Sequence, residues 1–590
     1  MRSPVPRWIL PLIFLPGFIP SCTAPVAPTA TPVAKSAPEA KIARTMDVEA
    51  KIARMTVEQK IAQLFVIGFD GTGYGFGLRE MVEKYGVGGV IFFARNVESP
   101  AQVARLTNEL QASARKAGSP GLLISIDQEG GRVARLTADK GFTEFPGAMA
   151  LSATARDVAE AAKNVRRAAS SLAVEMRAVG INADFAPDLD VNNNPANPVI
   201  GIRSFSSDPA RAAALGAACI EGLQGEGVLA FGKHFPGHGD TGTDSHVELP
   251  IVNHPRARLE AVEFVPFRAA IAAGVAGIMS AHVSFPTIDD TPGLPGTLSP
   301  KVLGGLLRDE LHFDGLVVTD SLEMGALTHG GFPTPVAASR ALRAGADLLL
   351  FNSGYSLHQA AIAQIAADIR AGTIPMATLD RAVRRVLNTK VRFSIAEPVL
   401  ADAAKATEIC GSLEHRALAD TLAGSAITLL RDGGALLPLA VRSRPIVVAG
   451  PSAGKLAEWV DGEEIHVADS PTDREVAAVL SAVRARPMAP VVLTLAGARP
   501  GSRQIVLARQ LVALHAHLVV VALREPYDLL SFARAEGGDA ALVASYGANP
   551  PTLRALAAML RGEAKPMGHL PVDLPGMFPL GAGLTDFPHR

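Results

Sequence analysis

The stretch SPKVLGGLLRDELHFDGLVVTD, residues 299–320, contains a helix signal followed by a strand signal. Ser299 followed by proline is typical of a helix start, and helical spacing spans Pro300–Leu311. Leu316–Thr319 is an apolar run without alternation, which indicates a strand buried on both faces of a parallel sheet. Asp320 follows this run directly. The unit predicts an α/β fold.

Seven more apolar runs occur, separated from one another by longer amphipathic stretches such as Val158–Val179. Eight parallel strands that alternate with helices fit a (β/α)₈ TIM-type barrel, which we predict over residues 46–395. The seven additional runs are Leu64–Phe69, Gly89–Phe93, Leu122–Ile126, Ile181–Phe185, Val228–Phe231, Gly277–Ser280 and Asp347–Phe351.

The remainder of the chain, residues 396–590, repeats the strand–helix rhythm on a smaller scale. A helical stretch such as Asp473–Arg484 lies between its apolar runs, which predicts a doubly wound α/β sandwich domain. It contains no glycine-rich phosphate-binding motif, so we expect no nucleotide site. The apolar runs are Ile446–Val448, Val491–Leu495, Leu518–Ala522 and Ala541–Ala544.

The N-terminus has the pattern of an export signal. Arg2 and Arg7 precede an apolar stretch too short to span a bilayer, and the following Ile-Pro-Ser-Cys22 resembles a bacterial lipobox. We predict a lipoprotein signal peptide over residues 1–21 and a Pro/Ala/Thr-rich tether over residues 22–45. Cys22 would carry the lipid, and Thr23 favours the periplasmic side of an outer membrane. An ordinary secretory signal is the alternative.

Composition excludes several classes of protein. The 590 residues include 56 Lys+Arg and 57 Asp+Glu, a net charge of −1 without basic runs, so we expect no nucleic-acid partner. With 48% hydrophobic and 19% charged residues, the chain is not disordered overall. Three cysteines exclude a disulfide framework.

Ionisable residues follow the predicted barrel strands, at the end where barrel enzymes carry their active sites. This placement marks one face of the barrel as the candidate site. The residues are Asp127, Asp188, Asp190, Lys233, His234, His282 and Asp320.

Two stretches carry the candidate chemistry. In the glycine-rich stretch 233–246, Asp244 lies two residues before His246, where its carboxylate can bind the ring and make the histidine a general acid/base. Asp320 ends a buried strand and can act as a carboxylate nucleophile. A retaining glycosidase needs one nucleophile and one proton donor, and here the Asp244–His246 pair replaces the usual second carboxylate.

At these residues the chain resembles glycoside hydrolase family 3, in particular its β-N-acetylglucosaminidases. The resemblance rests on Lys-His-Phe-Pro-Gly-His-Gly…Asp-Ser-His within residues 233–246, on Ile126-Asp-Gln-Glu-Gly-Gly-Arg132 and on Gly201-Ile-Arg-Ser-Phe205. It implies that Asp320 is the nucleophile and His246 the acid/base. It also implies that the sugar is held by Asp127, Arg135, Arg203, Lys233 and His234.

The resemblance implies an exo-acting enzyme that removes terminal β-linked GlcNAc from peptidoglycan fragments or chitin-type oligosaccharides. No cofactor or metal is expected, and the final acceptor, water or phosphate, stays open. Four alternatives remain: a β-glucosidase of the same family, a non-catalytic wall-binding lipoprotein, substrate-assisted hydrolysis using Asp289 and Asp290, and a metal-dependent barrel hydrolase. The metal ligands of the last would be His234, His238, Asp240, Asp244 and His246.

Overall fold

The computed structural model describes residues 46–352, 354–440, 444–450, 453–514, 517–532 and 539–588. The predicted signal peptide and tether, with Cys22, lie outside this range. Among the described residues, none of the helices combines the length and the apolar character that crossing a membrane requires.

Eight parallel strands form the first sheet, in the order β7-β6-β5-β4-β3-β2-β1-β8. A parallel bridge between Val318 and Leu348 joins the two ends, so the sheet closes into a barrel. Every predicted run coincides or overlaps with one strand, and the predicted TIM-type barrel is confirmed. The strands are β1 (Phe65–Ile67), β2 (Gly89–Phe92), β3 (Leu123–Ile126), β4 (Ala183–Asp184), β5 (Leu229–Phe235), β6 (Gly277–Ser280), β7 (Leu316–Thr319) and β8 (Leu349–Phe351).

Strand β5 is longer than its predicted run, Val228–Phe231. Asp188 forms a parallel bridge with Lys233, and Phe235 pairs with Ser280 of β6, so neighbours on both sides extend the strand. Lys233 and His234 therefore lie inside β5, and the prediction that they follow the strand is wrong.

Between residues 46 and 395, α-helices surround the barrel. Typical starts include Ser99, which caps α4 ahead of Pro100, and Asp208, which caps α7 ahead of Pro209. The helices are α1 (Val48–Arg54), α2 (Val57–Ala62), α3 (Phe76–Glu80), α4 (Pro100–Lys116), α5 (Ala148–Ala153), α6 (Val158–Ala178), α7 (Pro209–Gly225), α8 (Arg256–Ala261), α9 (Phe264–Ala272), α10 (Gly325–Thr328), α11 (Thr334–Ala344), α12 (Tyr355–Arg370) and α13 (Met376–Arg392). The predicted helix after Ser299 is present as Lys301–Glu310, with π-type winding.

The C-terminal part forms a second sheet of six strands, in the order β11-β10-β12-β13-β14-β9. Five strands are parallel and β9 is antiparallel at one edge. The sequence predicted four of the six and missed β9 and β11. The strands are β9 (Thr428–Asp432), β10 (Ile446–Ala449), β11 (Glu463–His466), β12 (Val491–Leu495), β13 (Leu518–Ala522) and β14 (Ala541–Ala544).

Among the described residues of this second part of the chain, six α-helices accompany the sheet. Two of them, α14 and α15, contribute Ala406, Ala419 and Leu422 to the hydrophobic core of the barrel, which thus continues past residue 396. The predicted boundary at 395/396 stays a prediction. The helices are α14 (Ala403–Ile409), α15 (Leu413–Ala426), α16 (Leu456–Trp459), α17 (Asp473–Ala485), α18 (Arg503–Ala513) and α19 (Pro550–Leu560).

Candidate active site

An open cavity lies at the carboxyl ends of the barrel strands. All eight side chains that the sequence singled out for catalysis or sugar binding line it. They are Asp127, Arg135, Arg203, Lys233, His234, Asp244, His246 and Asp320.

A buried ionic network forms one wall of the cavity. The Lys233 ammonium lies 2.9 Å from Asp127 Oδ1 and 2.8 Å from Glu129 Oε1. The Arg203 guanidinium donates two hydrogen bonds to Glu129, of 2.9 and 2.7 Å. Burial alone would raise the pKa of Glu129, but Arg203 and Lys233 outweigh it and hold that pKa far below its usual value. The wall therefore presents fixed charges to a polar ligand.

The segment after β3 shapes this wall. The amide oxygen of Gln128 accepts the backbone N–H groups of Arg135 (2.7 Å) and Leu136 (3.0 Å), which folds the chain back on itself. The Arg135 guanidinium consequently lies 3.7 Å from Asp127 Oδ2. Positive φ angles at Gly130 and Gly131 permit the tight return.

Asp190 organises the end of β5. Its Oδ2 lies 2.7 Å from His234 Nδ1, and its Oδ1 accepts the backbone N–H of His238 over 2.6 Å. Burial raises the pKa of Asp190 to about 6 and lowers the pKa of His234 to about 4. The neutral His234 ring is thus oriented by Asp190, and its Nε2 lies 3.4 Å from Arg203.

His238 links the start and the end of the loop that carries the predicted acid/base. Its Nδ1 lies 2.8 Å from Thr241 Oγ1 and its Nε2 lies 2.9 Å from Ser245 Oγ. Burial, reinforced by the neighbouring ring of His234, lowers the pKa of His238 to about 4. A neutral ring bonded to two hydroxyls has no nitrogen left for a ligand.

Asp244 and His246 form a pair at the rim. Asp244 Oδ1 accepts the backbone N–H of His246 and lies 2.8 Å from its Nδ1. Partial burial raises the pKa of Asp244, but these two bonds outweigh it and lower the pKa below its usual value. The His246 side chain is 63% exposed, and its Nε2 is left for a substrate.

Asp320 lies on the floor of the cavity, directly after β7. Burial would raise the pKa of its carboxyl group, but His282, His234 and the N–H of Ser321 outweigh this effect, and His246 adds to theirs. The resulting pKa is below its usual value, so Asp320 is ionised at neutral pH. The Ser321 N–H donates to Asp320 Oδ1 over 2.7 Å and fixes the carboxylate.

The structure does not gather the five ligands of the metal alternative. Within the described ranges, Asp240 binds His254, and the grouping with metal-like spacing is Asp188, Asp190 and His234. The Arg203 guanidinium lies 3.7 Å from Asp188 Oδ2, so a cation already faces this group.

The two acids proposed for substrate-assisted hydrolysis lie elsewhere. Asp289 accepts hydrogen bonds from Ser299 and Thr291, and Asp290 pairs with Lys301 over 2.7 Å. Neither lines the cavity.

Sequence reasoning missed the roles of Glu129 and Asp190. Glu129 stands inside the quoted motif Ile126–Arg132, but its bonds to Arg203 and Lys233 depend on the three-dimensional fold. Asp190 follows β4, but its bonds to His234 and His238 depend on the three-dimensional fold.

A barrel whose strand-end cavity combines an ionised carboxylate, a histidine–aspartate pair and a wall of charged hydrogen-bonding groups has the features of a glycoside hydrolase. The chain belongs to glycosyl hydrolase family 3: residues 56–389 match the family's N-terminal domain. It is accordingly a glycoside hydrolase.

Relatives match most of the chain. It is 32% identical to beta-hexosaminidase A of Pseudoalteromonas piscicida, over 84% of this chain and 91% of the relative. It is 31% identical to a beta-N-acetylglucosaminidase/beta-glucosidase of Cellulomonas fimi, over 89% and 95%. A solved family 3 beta-N-acetylglucosaminidase from Paenibacillus sp. is similar in structure, with a TM-score of 0.80 and 38% identity over 88% of this chain and 99% of that one.

Proposed function

We propose that this chain is a retaining exo-β-N-acetylglucosaminidase that works through a covalent glycosyl-aspartate intermediate. The observation that carries the proposal is that Asp320 and the Asp244–His246 pair line the same cavity.

In the first step, an Asp320 oxygen attacks the anomeric carbon while the bond to the leaving-group oxygen breaks. His246 donates its Nε2 proton to that oxygen, so the leaving group departs as an alcohol. Asp244 holds Nδ1 and stabilises the protonated ring before transfer. Asp320 ends the step as a glycosyl ester, and His246 ends it neutral.

In the second step, the neutral His246 Nε2 removes a proton from water as the water oxygen attacks the anomeric carbon. The ester bond to Asp320 breaks, which restores the carboxylate and the protonated histidine. Two displacements leave the product with the β configuration of the substrate.

The charged wall suits a sugar held by its hydroxyl groups. Asp127 accepts hydrogen bonds, while Lys233, Arg135 and Arg203 donate them. Because Glu129 and Asp190 fix Arg203, Lys233 and His234 before a ligand binds, little ordering remains to be done upon binding.

The GlcNAc preference is supported by the relatives named beta-hexosaminidase and beta-N-acetylglucosaminidase. The Cellulomonas fimi relative is named for β-glucosidase activity as well, which favours β-glucosidase as the second candidate. Purified full chain, assayed with chelator, should cleave aryl β-N-acetylglucosaminide far faster than aryl β-glucoside. A preference for the glucoside would reject the substrate assignment, and loss of activity in chelator would support a metal enzyme.

The intermediate can be tested with a 5-fluoro glycosyl fluoride of GlcNAc, which slows breakdown of a glycosyl ester. Mass spectrometry of the digest should find the sugar on the peptide that contains Asp320. Asp320→Asn should abolish labelling and lower kcat by about 10³-fold or more. Asp314→Asn is the matched control, because Asp314 is 97% exposed. Strong inhibition by a thiazoline that mimics a cyclised acetamido group, without labelling, would support substrate-assisted hydrolysis instead.

We also propose that the enzyme is exported and lipid-anchored through Cys22, facing the periplasm from an outer membrane. There it would meet peptidoglycan fragments or chitin-type oligosaccharides, both of which carry terminal β-GlcNAc. Labelled palmitate should enter the full chain and not the Cys22→Ala variant. Equal labelling of the two would reject the anchor.

A further inference from the structure

The loop after β13, in the second sheet, contacts the barrel beside the active site. One oxygen of Glu525, Oε2, lies 2.4 Å from where a Cβ on Gly201 would stand. The Glu525 side chain is only 19% exposed. Gly201 also has a positive φ, which disfavours residues with a side chain. The angle and the close approach of Glu525 together favour glycine at this position.

A second contact from the same loop holds the other side of this region. The Tyr527 hydroxyl donates to the backbone oxygen of Asn192 over 3.1 Å, and the Asn192 amide donates to the backbone oxygen of Gly201 over 3.2 Å. The turn Gly201–Arg203 is therefore held between Glu525 on one side and Asn192, backed by Tyr527, on the other.

This turn ends in Arg203, which lines the cavity. The Arg203 guanidinium binds Glu129 at two points and lies 3.4 Å from His234 Nε2. A shift of the turn would move a charged group in the sugar-binding wall, and such networks tolerate small displacements poorly.

Burial of the Glu525 carboxylate costs free energy, and this cost would be unnecessary if the residue only filled space. Burial raises the pKa of Glu525, although the charges of Arg524 and Arg132 partly offset this effect. The backbone N–H of Ile202, within the turn, also favours the charged carboxylate. Packing alone would be served as well by an apolar side chain.

We propose that Glu525 is a positioning residue: from the C-terminal part of the chain it sets the Gly201–Arg203 turn, and with it Arg203, for sugar binding. The inference rests on the proposed role of Arg203 in holding the sugar. It gives the second sheet a part in substrate binding, although it places no residue of that sheet on the reacting atoms.

The test is a double-mutant cycle in the full chain between Gly201→Ala and Glu525→Ala. Each single variant should raise KM by about tenfold and leave kcat within about twofold. In the double variant the new methyl group occupies the space that the carboxylate vacated, so KM should be lower than in Gly201→Ala alone. Glu563→Ala, in the same part of the chain and half-exposed, is the matched control and should leave KM unchanged.

Several readouts separate positioning from packing. Thermal unfolding checks that each variant folds, and Glu525→Ser, which also vacates the position of the carboxylate, replaces Glu525→Ala in the cycle if the latter does not fold. GlcNAc affinity, measured by calorimetry in the Asp320→Asn background, should be lower in the variants whose KM is raised. A folded Glu525 variant with unchanged KM and unchanged GlcNAc affinity would overturn the inference, as would strictly additive effects in the cycle.

The outcomes also distinguish this inference from the proposed function. If the wild type prefers the β-glucoside, the cycle is run with that substrate and with glucose as the calorimetric ligand, and it still decides the role of Glu525. If Arg203→Gln leaves KM unchanged, the sugar-binding role of Arg203 fails, and the inference fails with it.

Discussion

The backbone N–H of Gly325 donates a hydrogen bond to the carbonyl oxygen of His246 over 3.1 Å. Gly325 begins α10, shortly after Asp320, so the loop with the proposed acid/base is fixed to the segment that follows the proposed nucleophile. The N–H of Ala326 binds the oxygen of Ser245 in the same way. The two proposed catalytic groups, which follow different barrel strands, are thereby set relative to each other by backbone contacts.

Gly325→Ala should lower kcat strongly. A Cβ at this position would lie 2.5 Å from the His246 oxygen and 2.7 Å from the Val247 oxygen, so the loop must move. Displacement of a catalytic group by about 1 Å can cost about 10²-fold in rate. Steady-state kinetics with the aryl GlcNAc substrate measure the loss.

The matched control for this variant is Gly305→Ala, where a Cβ would have no neighbour within 4 Å. It should retain the wild-type kcat. A Gly325→Ala enzyme with full activity would show that the loop position does not depend on this contact.

His246→Gln should reduce the rate of cleavage most for substrates whose leaving groups most need a proton. Without the Nε2 proton, kcat/KM should fall about 10²–10⁴-fold for substrates with an alkyl or sugar leaving group. It should fall little for a dinitrophenyl glycoside in the first step. The measurement is kcat/KM across a series of leaving groups. Asp244→Asn should show a smaller effect of the same kind.

The control is His466→Gln. His466 is 61% exposed and lies 3.6 Å from Glu464, so it forms a surface histidine–carboxylate pair on β11 of the second sheet, outside the proposed active site. An equal loss for all leaving groups in His246→Gln would contradict the acid/base role.

Much of the barrel could be predicted because its strands are buried on both faces and therefore consist of continuous apolar runs. Leu316–Thr319 and Gly277–Ser280 form strands with the predicted bounds. By contrast, Glu463–His466 is largely exposed and charged, and it becomes a strand through pairing with β10 at a sheet edge. A sequence pattern of burial cannot reveal a strand that is not buried.

The candidate site divides in the same way. Asp244 and His246 are two residues apart, so their pairing is a local feature that the sequence contains. The contact between Tyr527 and Asn192 joins residues 335 positions apart and depends on how two sheets pack. No spacing rule connects such residues, so this contact could not be predicted from the sequence.

His238→Gln should make stability less dependent on pH on the acid side. The native ring takes a proton only near pH 4, whereas an unfolded histidine takes one near pH 6.5. As pH falls from 6.5 to 4, the unfolded state binds a proton that the native state does not, so stability is lost. The difference between the native and unfolded pKa values corresponds to about 3 kcal/mol of unfolding free energy that the wild type loses on acidification. His238→Gln should not show this loss.

Urea unfolding of the wild type and of His238→Gln at several pH values between 4.5 and 7 checks this expectation. His234 and His282, whose pKa values are also lowered by burial, are present in both proteins and cancel in the comparison. Parallel curves for the two proteins would mean that His238 is protonated equally in the native and unfolded states.

Lys390→Met should stabilise the protein at neutral and acid pH. Lys390 lies on α13 with 2% exposure, and burial lowers its pKa to about 7. Its ammonium donates to Gln63 Oε1 over 3.1 Å, and among the described residues no carboxylate lies within ion-pair distance. An unfolded lysine keeps its proton up to about pH 10.4, so wild-type stability rises as pH increases from 7 toward 10 and is poorest below 7.

Methionine fills a similar volume without a charge and should raise the free energy of unfolding at pH 6 by on the order of 3 kcal/mol, with the gain disappearing near pH 10. Denaturant unfolding at pH 6, 8 and 10 measures the difference, and Lys405→Met, at an exposed position, should show none. A variant that is less stable than the wild type at pH 6 would mean that the hydrogen bond to Gln63 outweighs the burial of the charge.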